Sequence, residues 1–165
     1  MQKITPYLWF DDQAEEAAEF YVDVFNNRPG GDAGPSKVLE VSRYGEAGPG
    51  TPGTAMVVTF ELDGLEFIAL NGGPQFTFTE ATSFFVHCKT QDEVDYLWDT
   101  FTKEGEESQC GWLKDRYGLS WQIIPDRLME LLGDPDPGRS ERAMRAMLQM
   151  QKIDIATLER AADAA

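Results

Sequence analysis

Two stretches of this chain carry the same apolar spacing: Ala17, Phe20, Tyr21 and Val24 in one, Val94, Leu97, Trp98 and Phe101 in the other. Each set steps by three, one and three residues, which is the buried stripe of an amphipathic helix. Strand-like runs flank both helices in the same order, so one supersecondary module has been used twice. In the first copy ITPYLWF precedes the helix, and DDQAEEAAEF opens it with acidic residues where the helix dipole favours them. KVLEVSRY, AMVVTFEL and LEFIALN follow as strands, the last two joined at Asp63-Gly64, a pair suited to the positive φ of a type I′ turn. Arg28–Ser36 and Gly45–Thr54 are Gly/Pro-rich loops. In the second copy TSFFVHC is a strand and TQDEVDYLWDTFTKEG a helix; EESQCGWLKD and LSWQIIP are strands around the turn Arg116-Tyr117-Gly118. A further strand falls somewhere in Lys103–Ser108 or is missing. The expected fold is therefore α+β: two βαβββ modules, at about residues 1–73 and 80–125, inside a domain of residues 1–125.

Residues 126–165 form a helical tail by the same reasoning. Asp126–Leu132 is a short helix, Gly133–Asp136 breaks it, and Pro137 sits at a first helical position, where its missing N–H costs nothing. Ala143, Met144, Met147, Leu148 and Gln151 continue at helical spacing, and Asp154 caps a last helix through Ile155, Leu158 and Ala162. The methionine stripe is read as packing against the sheet domain or a partner copy, since Met fills irregular apolar gaps. Together with Leu128, Leu131, Leu132, Ile155 and Leu158 it makes the tail too apolar for a solvated appendage, and a homodimer is expected.

Charge narrows the partners. Fourteen basic against 29 acidic residues leave a net charge of -15, which repels a phosphate backbone and an anionic membrane alike. The N-terminal MQKITPYLWFDD has neither a signal-peptide run nor a spanning segment, so a cytoplasmic location is expected. Cys88 and Cys110 lack C-x-x-C spacing and are expected to be reduced.

Four stretches in order, ITPYLWFDDQAEEAAEFY, LNGGPQF, ESQCGWLKDRYGLSWQIIP and MQKIDIATL, resemble the PhnB-like family of the glyoxalase/bleomycin-resistance/extradiol-dioxygenase (vicinal oxygen chelate) superfamily. The resemblance covers nearly the whole chain except Arg28–Ser36. It implies strands curled into a concave mixed sheet, helices on the convex side and a ligand cleft within. Members often carry the label demethylubiquinone methyltransferase. A methyltransferase using S-adenosylmethionine normally needs a parallel sheet with a Gly-rich strand-to-helix turn, and the Gly clusters here lie in Pro-containing loops between antiparallel strands, so that activity is not expected. In metal-using relatives the ligands are His or Glu near the start of each module's first strand and on its last strand. The matching positions are Thr5, Ser83, Gln122 and either Ile68 or Ala69, with Asn71 and Glu66 the nearest other donors, so no divalent metal and no cofactor are expected.

Strand alternation nominates the cleft residues: Thr5, Tyr7 and Trp9 on one face of the first strand, with Ile4, Leu8 and Phe10 toward the helix, and Ser83, Phe85 and His87 on the corresponding face of the second module. His87 is the sole histidine and the candidate general base, a structural histidine bonded in the sheet being the alternative. Cys110 is a candidate nucleophile only if its thiolate is stabilised, and otherwise a buried structural thiol. Asn71 and Gln122 are amides on apolar strands that need partners, from a ligand or from the backbone. Trp112 is a stacking surface or ordinary core, Trp121 faces the helices, and Asp115 and Arg116 are expected as solvated turn charges. The leading expectation is a homodimeric small-molecule binder with a metal-free cleft for a partly aromatic ligand. The alternatives are a divalent-metal-dependent lyase, isomerase or dioxygenase and a protein-interaction module acting through the tail helices.

Overall fold

The computed structural model describes residues 2–30 and 34–164; Gly31, Asp32 and Ala33, within the expected Arg28–Ser36 loop, lie outside the described residues. The chain divides into two compact units, Met1–Phe78 and Thr79–Ala165. The first contains β1 (Tyr7–Phe10), α1 (Ala14–Asn26), β2 (Lys37–Arg43), β3 (Ala55–Leu62) and β4 (Leu65–Asn71). In the second are β5 (Ser83–Cys88), α2 (Gln91–Thr102), β6 (Glu106–Glu107), β7 (Trp112–Lys114) and β8 (Ser120–Pro125), followed by α3 (Asp126–Leu132), α4 (Pro137–Met147) and α5 (Ile155–Asp163). The sheets have matching topologies, β1-β4-β3-β2 and β5-β8-β7-β6, each with its first strand parallel to its last and its other pairs antiparallel. The fold is α+β with repeated βαβββ modules, as the helix spacing indicates.

In the first unit Leu8 and Phe10 turn toward α1, whose Ala17, Ala18, Tyr21 and Val24 are buried with Val58, Phe60, Phe67 and Ala69. Asp63 at φ 50° and Gly64 at φ 81° make the expected hairpin turn. The described ends of the neighbouring loop are pinned to that turn: Gly64 N–H donates to Pro35 O at 2.9 Å and Arg28 pairs with Asp63 at 2.6 Å. Ile4, expected to pack with Leu8, is 86% exposed because β1 begins only at Tyr7. Thr5 also precedes the strand.

In the second unit Trp121 stacks on Phe101 of α2 with centroids 4.8 Å apart, so it faces the helix. Segment 106–115 is not one strand. Cys110 (φ 58°) and Gly111 (φ 85°) take left-handed backbone angles that stop the ladder between β6 and β7, and β6 is only two residues long. The tail holds this break in place: Cys110 N–H donates to Met150 O and Gly111 N–H to Gln151 O, both at 2.8 Å.

The tail packs in cis on its own unit. Ile124, Leu128, Leu131, Ala143, Ile153, Leu158 and Ala162 form one buried cluster, with Met147 and Met150 against its rim. Gln91 of α2 bonds to it from both ends of its amide, to Ile153 O at 3.0 Å and to Ile155 N–H at 2.8 Å. The apolar residues that suggested a dimer are therefore largely used inside the chain; Met129, Met144 and Leu148 stay exposed. The helix over Ala143 and Met144 ends at Met147, short of Gln151.

Candidate functional site

Each sheet has one face against its helix and one turned away, and the expected site residues divide between these faces. The β1–β4 register sets Tyr7 opposite Ile68 and Leu8 opposite Ala69. Ile68 thus shares the outer face with Tyr7 and Trp9, while Ala69 is buried toward α1. Tyr7 is exposed. Trp9 is committed locally: its indole N–H donates to Gly73 O at 2.9 Å and its ring meets Phe76 edge-on at 5.0 Å. A Cβ on Gly72 would come within 2.3 Å of that ring, which accounts for a glycine in LNGGPQF.

Asn71 pairs with Phe10 and so lies on the helix side. Its Oδ1 accepts from Ala14 N–H at 2.7 Å and its Nδ2 donates to Ala55 O at 3.1 Å. The first acceptor caps α1, whose own N-cap residue, Gln13, supplies no side-chain bond. Both ends of the amide are therefore engaged inside the fold. Beside it Tyr44 donates from its hydroxyl to Asn71 O at 2.6 Å, and Arg43 forks onto Glu15 at 3.0 and 3.3 Å. These side chains, with Asp11, Asp12 and Gln75, line an open depression of about 840 Å³ that no sequence signal marked.

The outer face of the second sheet carries a mixed aromatic and polar row. Ser83, Phe85 and His87 of β5 lie beside Ser120, Gln122 and Ile124 of β8, and Trp112 and Lys114 of β7 extend the row. Ile124 belongs to the tail cluster, so one end of this face is covered. His87 has a side chain 73% exposed, its ring 4.8 Å from that of the exposed Phe85. Its Nδ1 lies 3.3 Å from Asp126 Oδ1 at the start of α3. Both side chains are exposed, and the contact brings a carboxylate beside the ring. Asp126 was legible in the sequence only as a helix start. Gln122 Nε2 donates to Ser83 Oγ at 2.9 Å, joining the two expected positions in one polar pair.

At the far end of the row, Lys114 is ion-paired with Glu80, whose hydrogen bond raises the ammonium pKa and whose own carboxyl is lowered by it. Cys110 lies in the break between β6 and β7 as a free, partly buried thiol. Asp115 corrects the expectation of a solvated charge. It is buried, accepting from Tyr117 N–H at 2.8 Å, Leu119 N–H at 3.1 Å and the Trp121 indole at 2.9 Å. Arg116 at the same turn pairs with Glu104 at 3.1 Å. Among the described residues, no group of three or more His, Cys, Asp or Glu side chains is placed to hold a metal ion, and no helix is long and apolar enough to cross a membrane.

A family profile described as 3-demethylubiquinone-9 3-methyltransferase matches residues 2–124. The chain belongs to this family. Among solved structures, a PhnB protein from Bacillus cereus carrying the same methyltransferase description is 37% identical, with 75% of this chain and 99% of that one covered and a TM-score of 0.65. A protein from Pseudomonas aeruginosa shares 16% identity over 76% of this chain and 98% of its own, with a TM-score of 0.58. A mutant fosfomycin resistance protein, FosX, from Listeria monocytogenes, solved with Mn(II) and 1S,2S-dihydroxypropylphosphonic acid, is 12% identical over 73% of this chain and 90% of its own, at a TM-score of 0.51. The last two likenesses concern the fold alone. No functionally curated protein matches.

Proposed function

We propose that this family member binds a small, partly aromatic organic ligand on the outer strand faces, without a divalent metal, as a PhnB-like branch of the vicinal oxygen chelate superfamily. The observation that carries the reading is the outer face of the second sheet, where exposed Phe85 and His87 stand beside the Ser83–Gln122 pair. An aromatic side chain left in water next to convergent polar groups is the composition of a ligand surface. Trp112 extends the stacking area, and Tyr7 and Trp9 give the first sheet a corresponding aromatic face. If a reaction occurs, His87 moves the proton, with Asp126 holding its ring.

Against the metal-dependent alternative stand the residues at the implied ligand positions. Thr5 and Ser83 offer neutral hydroxyls, Ile68 offers no donor, and Gln122 offers only a neutral amide oxygen with no negative charge to offset an ion. Methyl transfer from S-adenosylmethionine fits poorly too: each sheet has a single parallel pair and lacks the doubly wound arrangement that usually accompanies it. An interaction module acting through the tail is disfavoured because the tail's apolar face covers its own unit. A cytoplasmic homodimer belongs to the same proposal, its contact surface now resting on Met129, Met144 and Leu148; light scattering that gives the monomer mass at micromolar concentration would remove it. Calorimetry with nickel, zinc, manganese and iron is expected to show no stoichiometric binding, and Phe85→Ala is expected to weaken aromatic ligands about tenfold. A tight metal site dependent on Ser83 or Gln122 would reverse the ranking of the first two readings.

A further inference from the structure

Ser120 is fully buried, and its hydroxyl has no hydrogen-bond partner among the described residues. A hydroxyl in that state is costly unless something bonds to it. The register sets Ser120 directly opposite Lys114, on the face turned away from α2, where cross-strand side chains are neighbours. Both line a cavity of about 100 Å³ together with Trp112, Glu80 and Glu106. We propose that Ser120 and Lys114 form a polar anchor for a neutral acceptor oxygen, the carbonyl of a ketone or amide, on a ligand whose apolar body lies along Trp112. This deepens, and rests on, the reading of the outer face as a ligand surface.

The charges choose the class. Glu80 holds one side of the Lys114 ammonium, and an ammonium has three donors, so hydrogen-bonding capacity remains beside the Ser120 hydroxyl. Glu106 lies opposite Lys114 in the β6–β7 register and adds a second carboxylate to the one ammonium. A ligand anion would meet that excess negative charge at the donors Glu80 leaves open. An added ammonium would crowd against Lys114 itself. A neutral carbonyl oxygen accepts from both donors and disturbs neither charge. The cavity has room for a group of acetamide size, so the remainder of the ligand must extend toward the aromatic row.

Three probes of similar size and different charge test this: benzamide, benzoate and benzylammonium, titrated into the full-length protein with dissociation constants read by ligand-observed NMR. Benzamide is expected to bind at least tenfold more tightly than either charged probe. Ser120→Ala and Lys114→Met are each expected to weaken benzamide about fivefold, the loss of one hydrogen bond. Thermal melts of Ser120→Ala should show no loss of stability, since its hydroxyl has no partner to lose. Equal binding of benzoate or benzylammonium, or benzamide binding unchanged in both variants, would overturn the anchor. If Phe85→Ala weakens benzamide while Ser120→Ala and Lys114→Met do not, the anchor falls and the ligand face stands. If benzamide does not bind at all, both fall.

Discussion

The two modules share a topology and differ in where their polar groups are satisfied. In the first, α1 is capped across the sheet by Asn71, and the outer-face Trp9 is bonded to Gly73 and packed on Gly72. In the second, α2 is capped locally: Thr90 Oγ1 accepts from Glu93 N–H at 3.2 Å, and Glu93 reaches back to Lys89 N–H at 2.7 Å. Its strands then have no capping duty comparable to that of Asn71, and their outer face keeps an exposed histidine, an exposed phenylalanine and an unpartnered hydroxyl. The first module spends Asn71 on a helix cap and Trp9 on a local bond; the second keeps Phe85 and His87 exposed on its outer face. That difference is why the ligand face is assigned to the second module.

The sharpest break in the comparison comes from the tail, which only the second unit carries. Leu158→Ala removes the centre of the tail cluster and is expected to cost about 2–5 kcal/mol. Amide exchange should rise across α3, α4, α5 and the Cys110–Gly111 break, with the first unit unchanged; a uniform rise would mean that the units do not unfold separately. A smaller contrast lies in the caps. Asn71→Ala leaves Ala14 N–H and Ala55 O without partners and should cost about 1–3 kcal/mol, against about 1 kcal/mol for Thr90→Ala. Denaturant melts giving the reverse order would show that the remote cap is dispensable. The smallest effect is acid sensitivity. Asp154 is held below the ordinary aspartate value by its bonds to Thr157, and Asp134 by Asp136 N–H and then Arg139. Their stabilisation is fully present above the unfolded pKa, about 3.9, and is lost as pH falls through the lowered folded values. Helical signal from the tail should therefore decline below about pH 4, and Asp154→Asn should flatten that decline.

What could be read from sequence was what short-range chemistry determines. Asp63-Gly64 needed only its own φ preferences, Pro137 and Asp154 only the rules of helix starts, and the repeated stripe only the helical period. Strand alternation separated Tyr7, Phe85 and His87 from Leu8, Phe10 and Val86. The failures came from partners distant in sequence. Asn71 serves a helix start 57 residues away, and the Cys110 break is held by carbonyls of the tail. Asp115 carries a local signal: an aspartate two residues before a turn amide forms an Asx turn, and burial follows once Trp121 adds its indole N–H. The unpartnered Ser120 hydroxyl had no sequence signal, because only the structure shows which buried groups lack a partner.

The central claim, that the second module's outer face takes the ligand without a metal, is tested most directly by following backbone amides in nitrogen-15 NMR while neutral aromatic fragments are titrated in the presence of EDTA. The account predicts saturable shifts clustered on Ser83, Phe85, His87, Trp112 and Gln122. Shifts confined to the depression around Asp11, Tyr44 and Gln75, or shifts that appear only when a divalent metal is restored, would contradict it.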